Sequence, residues 1–143
     1  MSVDRPTLYG PELLAHARSP RHSGRLEAPT RTARVDNPLC GDRVTVQLRL
    51  ESGRIAAIAH QTRGCALCIA SASVMAEAVW GEPMEGVEQR ARAVVEGLTP
   101  AADASLRVDD PALALFAGLS AAPGRHGCVS LPWQALLSST PAQ

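Results

Sequence analysis

Residues 37–73, NPLCGDRVTVQLRLESGRIAAIAHQTRGCALCIASAS, constrain the fold of this chain more than any other stretch. From Arg43 to Leu50 the side chains alternate. Val44, Val46, Leu48 and Leu50 share one face, and Arg43, Thr45, Gln47 and Arg49 share the other. Period two is the mark of a half-buried antiparallel strand. Residues 51–53, Glu-Ser-Gly, make a turn, and a second strand runs from Ile55 to Thr62. The two form a hairpin, with Thr32 to Val35 as a third strand beside it. Antiparallel pairing brings the open ends of a hairpin together. Cys40 and Asp42 stand just before the first strand, and Cys65 just after the second. The hairpin alone therefore gathers Cys40, Asp42 and Cys65, and Gly41 lets the backbone bend between the first two.

Helices surround this hairpin. Pro11 opens one that ends near Ser19, with Leu13, Leu14 and Ala17 as its apolar stripe. The loop SPRHSGRLEAPT follows, and His16 and His22 read as surface histidines. A helix rich in small residues runs from Cys65 to Gly81. Cys65 at its N-terminal end gains thiolate stabilisation from exposed N–H groups and the macrodipole. Cys68, at i+3, shares its face. A helix over Met84 to Leu98 buries Val87, Ala91, Val94, Val95 and Leu98. Residues 99–103 break the chain, Pro111 to Leu119 form a helix ended by residues 121–124, and Leu131 to Leu137 form the last one. The tail SSTPAQ reads as disordered.

At 143 residues the chain reads as one domain with room for a core. The aromatics are Tyr9, Trp80, Phe116 and Trp133, so Ala, Val and Leu must build most of that core. With 14 basic and 14 acidic residues the chain lacks the excess positive charge that nucleic acid binding demands. No apolar run has membrane-span length, and the N-terminus reads as no signal peptide. The expectation is a cytoplasmic protein, where clustered cysteines bind metal or do chemistry more often than they form disulfides.

Thiolates hold zinc and iron well, and one carboxylate can complete a tetrahedral shell. Cysteine count alone leaves a second reading open, in which each cysteine is a small buried hydrophobe. Cys65 and Cys68 form a CxxC, half a zinc knuckle or a redox pair. No βαβ pattern surrounds it, which weighs against a thioredoxin-like pair. Cys128 lies far along the chain, within GRHGCVSLPW.

NPLCGD, GCALCIASAS and GRHGCVSLPWQAL, in that order, resemble the three cysteine blocks of the IscU/NifU-like iron–sulfur assembly proteins. LLAHARSPRHSGRLE is similar to that family's opening helix and loop. The chain looks most like the SufU branch. Scaffolds of the IscU type place a histidine just before the last cysteine, where this chain has Gly127. The SufU type has an arginine three residues before that cysteine, where this chain has Arg125. The stretch AGLSAAPGR, Trp133 and the long connection between the second and third blocks are also similar to SufU.

The resemblance implies an α/β (α+β) fold, a small, mostly antiparallel three-stranded sheet packed by helices. It implies the ligand set Cys40, Asp42, Cys65 and Cys128, holding zinc or alternatively a [2Fe–2S] cluster. Cys68 is extra to the family pattern. It reads as a residue facing helix packing, or else as a spare thiol or alternative ligand. His126, two residues before Cys128, would share that cysteine's face in an extended segment and is an alternative to Asp42. His60 reads as a plain, partly exposed histidine. Three functions remain open. The first is a zinc-bound sulfur acceptor, a sulfurtransferase taking persulfide from a PLP-dependent, SufS-type cysteine desulfurase through Cys40. The second is a scaffold building a [2Fe–2S] cluster, with Cys128 as acceptor. The third is a domain with structural zinc. The implied partners are the desulfurase and downstream iron–sulfur assembly proteins, with no nucleic acid or membrane, and the chain a monomer or weak homodimer.

Overall fold

A computed structural model describes residues 10–38, 41–98, 110–121 and 123–141. Tyr9, Cys40 and the expected break at 99–103 lie outside them.

Helix α1 (Pro11–Arg18) starts at a proline and buries Leu13. Strands β1 (Arg31–Asn37), β2 (Asp42–Glu51) and β3 (Arg54–Arg63) follow. Then come α2 (Ala66–Val79), α3 (Met84–Leu98) and α4 (His126–Ser138), with β4 (Thr140–Pro141) last. Among the described residues the sheet order is β3-β2-β1-β4, with each neighbouring pair antiparallel. The expected three-stranded sheet is present, each strand a residue or more longer than read, and β4 is an addition. The C-terminal tail was expected to be disordered. Instead Thr140 and Pro141 pair with Thr32 and Arg31. The Arg31 guanidinium donates to the Ser139 carbonyl at 3.1 Å, which anchors the tail.

The alternation of β2 is followed closely. Val44, Val46 and Leu48 are fully buried and their neighbours lie on the outer face. The hairpin turn places Ser52 (φ 54) and Gly53 (φ 77) in the left-handed region, which glycine adopts without strain. β3 is an edge strand, and residues 22–24 cover it. His60 N donates to His22 O at 3.0 Å and Gly24 N to His60 O at 2.9 Å.

Helix α2 lies against β3, α4 against β1 and β2, with α1 and α3 packed behind them. α2 is buried almost all round, from Leu67 to Val79, and its Ala and Ser residues let neighbours approach closely. Ser71 Oγ donates to the Val129 carbonyl at 2.6 Å, joining α2 to α4. Ser73 Oγ accepts from Arg21 N at 2.7 Å.

Three expectations need correction. The last helix begins at His126 and not Leu131. Gly127 and Pro132 are poor helix formers, and packing of Val129, Leu131, Trp133 and Leu136 in the core overrides them. Residues Pro111–Ala121 are a 3₁₀ helix with a kink at Phe116, and Pro123–Arg125 form a second short one. His60 is 1% exposed. Its Nε2 donates to the Arg21 carbonyl at 2.9 Å, and its Nδ1 pairs with Thr62 Oγ1 at 2.9 Å.

Candidate metal centre

Three elements converge at one end of the sheet. Asp42 is the first residue of β2, on the inner face with Val44 and Val46. Pairing of Arg43 with Arg63 brings the segment after β3 back beside it. Cys65 is the N-cap of α2. Cys128 lies in the first turn of α4. Two helix N-terminal segments therefore carry the two cysteines to the same end of the sheet.

A carboxylate oxygen of Asp42 and the sulfurs of Cys65 and Cys128 all lie within 4.8 Å of one another. Asp42 and Cys128 are 4% exposed, and Cys65 is half-buried. Burial, then the neighbouring Cys65 and Asp42, push the Cys128 thiol above its ordinary pKa. Three groups that carry negative charge when deprotonated crowd one spot, and a bound cation would relieve that repulsion.

Two observations test whether a metal fits. The buried Asp42 Oδ2 has no hydrogen-bond partner among the described residues, and such an atom is costly unless something binds it. Gly64 makes room for that carboxylate. A Cβ there would stand 2.6 Å from Asp42 Oδ1 and 2.7 Å from its Cγ. Two sulfurs and one oxygen are also a donor set that zinc and iron accept. The residues fit a metal.

The remaining candidates are placed as follows. Cys40 lies outside the described residues. Its successor Gly41 has φ +76 and its N–H donates to the Asn37 carbonyl at 2.8 Å. Cys68 is fully buried in the core and is not in the Asp42–Cys65–Cys128 group found among the described residues. His126 is buried and helical. Two residues along a helix turn the side chain about 200°, so it does not share the face of Cys128, and it is not in the three-residue group. Arg125 is exposed at the N-cap of α4. Gly64 as a steric part of the site is not legible from the sequence, where the one signal is a glycine just before Cys65.

The NifU-like N terminal domain family matches residues 8–125. The chain belongs to this family. It is 27% identical over 130 residues to the zinc-dependent sulfurtransferase SufU of Bacillus subtilis, covering 91% of this chain and 87% of that protein. It is 30% identical over 132 residues to the iron–sulfur cluster assembly scaffold protein IscU of Streptococcus pyogenes, covering 90% and 80%. The crystal structure of a NifU-like protein (N-terminal) from Brucella abortus matches with a TM-score of 0.78 and 27% identity, over 91% of this chain and 90% of that one. The chain spans 19% of the bifunctional protein NifU/MnmA of Rubrobacter xylanophilus, with 33% identity over 92 residues. No helix among the described residues is long and apolar enough to cross a membrane.

Proposed function

We propose that this chain is an iron–sulfur cluster assembly protein that accepts persulfide sulfur at a zinc site from a PLP-dependent cysteine desulfurase of the SufS type. We read it as one cytoplasmic domain that hands the sulfur to downstream assembly proteins. The observation that carries this reading is the convergence of Asp42, Cys65 and Cys128 on one spot. Cys40, two residues before Asp42, is the proposed fourth ligand. Zinc there would hold the thiolates deprotonated at neutral pH and release one when another ligand replaces it.

Transfer needs a thiolate that a donor protein can reach. The burial of Cys128 makes it poorly suited, and the family resemblance points to Cys40. The Cys40 thiolate attacks the outer sulfur of the donor's persulfide. A new S–S bond forms as the old one breaks, the donor cysteine leaves as thiolate, and no net oxidation occurs. Asp42 would be the hard oxygen ligand among sulfurs, and with Cys65 and Cys128 it would hold the ion when Cys40 is engaged. Gly64 keeps that carboxylate in place, and Arg125 stands exposed at the rim.

A second reading is a scaffold on which a [2Fe–2S] cluster is built. It is supported by similarity to proteins described as IscU scaffolds. Gly127, where such scaffolds carry histidine, favours sulfur transfer. Purely structural zinc fits less well, because a mixed oxygen–sulfur shell suits exchange. A desulfurase assay separates these readings. Alanine production should rise when the zinc-loaded protein is added, and trapped persulfide should map to Cys40. Unchanged alanine production, with reconstituted [2Fe–2S] held by the same residues, would favour the scaffold.

A further inference from the structure

The chain carries equal numbers of basic and acidic residues, but its outer sheet face does not. Beside the metal end, Arg25, Arg34, Arg43 and Arg63 line a groove of about 340 Å³ together with Thr45, Gln61 and Thr62. Arg43 stands directly opposite Arg63 in the β2–β3 register. Like charges directly opposite each other destabilise a sheet, so this pair costs the fold something. Arg34 is opposite Thr45, one step along the same face. The side chains of Arg34 and Arg43 are 60% and 45% exposed. Among the described residues Arg63 has neither an ion pair nor a side-chain hydrogen bond, and Arg25 Nε reaches only the Gln61 amide oxygen, at 3.2 Å.

Among the described residues, one carboxylate forms an ion pair with this cluster. Asp36 lies 2.6 Å from the Arg43 guanidinium and 3.8 Å from that of Arg34. The Arg43 hydrogen bond holds its carboxyl below the usual range. Asp36 thus shows where a carboxylate binds on this face, and it leaves most of the positive charge uncompensated.

We propose that this face docks an acidic, extended segment of a partner protein, with Arg25, Arg34, Arg43 and Arg63 receiving its carboxylates. The charge is spread over three strands, about 4.8 Å apart. That spacing suits successive carboxylates along a peptide better than one compact anion. Arg43 follows Asp42 and Arg63 comes two residues before Cys65, so a segment held here is held behind the metal ligands. Binding at this surface is independent of sulfur transfer.

The test is binding of a short fluorescein-labelled poly-glutamate peptide to the full chain, with poly-glutamine as the control. The account expects binding that weakens with salt and weakens about fivefold with Arg34→Glu or Arg63→Glu. Asp36→Asn should tighten it by a factor of roughly two to five, because it frees Arg43 and Arg34. Thermal melts identify any arginine variant that fails to fold, and Asp36→Asn then carries the test. Equal binding by wild type and all three variants would overturn the proposal. So would displacement of the peptide by low-millimolar inorganic phosphate. Tighter binding of a single-stranded oligonucleotide, lost in the same variants, would make this a nucleic-acid surface and would also overturn it.

Discussion

Gly64 is the residue on which the site's geometry turns. Gly64→Ala would put a methyl group 2.6 Å from Asp42 Oδ1, so a buried, short side chain must move. The expected result is a fold that survives and a zinc affinity about 10–100-fold lower, read by competition with a chromophoric chelator. Unchanged affinity would mean that Asp42 is not a ligand. His60 gives a pH prediction. Burial is the main cause lowering its pKa below 6.5, and the Arg21 carbonyl only partly offsets it. A histidine with a depressed folded value binds protons less well folded than unfolded. Stability is therefore full above about pH 6.5 and falls as the pH drops below it. Urea midpoints between pH 7 and 5.5 should fall for the wild type and stay flatter for His60→Gln. Neither residue could be read in the sequence. Alternation puts His60 on a strand face but cannot reveal that residues 22–24 cover the edge. A glycine's missing Cβ matters only once its neighbour is known.

At the scale of elements, the hairpin was legible because period-two alternation and the Glu-Ser-Gly turn agree with each other. Cys40 lies outside the described residues, but Asp42 and Cys65 stand at the hairpin ends as antiparallel pairing requires. The start of α4 was not legible, because core packing outweighs the weak helix formers Gly127 and Pro132. Cys68 divides two roles for α2. It is fully buried, so Cys68→Ser should keep zinc yet cost about 1–3 kcal/mol in an apolar contact, seen in chemical denaturation. Loss of zinc on that substitution would return Cys68 to the ligand set. Arg90 links α3 to the first 3₁₀ helix through two hydrogen bonds to Asp110, at 2.6 and 2.7 Å. The Arg90 hydrogen bond is the main cause lowering the Asp110 pKa. That contribution is present above about pH 4 and lost as the pH falls through the folded value. Asp110→Asn should cost about 1 kcal/mol at pH 7, and the gap from wild type should narrow as the pH falls below about 4.

At the scale of the whole molecule, the apolar core is large. Trp133, Leu48, Ile55, Leu67 and Met75 are all fully buried. Chelation should lower the melting temperature by roughly 10 °C and leave the circular dichroism spectrum folded, unlike a zinc finger. Complete unfolding on chelation would mean that the metal holds the fold together. The central claim is that β2, α2 and α4 meet to hold one metal ion with thiolates and a carboxylate. Zinc K-edge X-ray absorption on the purified protein tests it most directly. The account predicts a sulfur-dominated shell at roughly 2.3 Å with one lighter oxygen ligand, losing one sulfur in Cys128→Ser. A shell of nitrogen and oxygen alone, or one unchanged in Cys128→Ser, would contradict it.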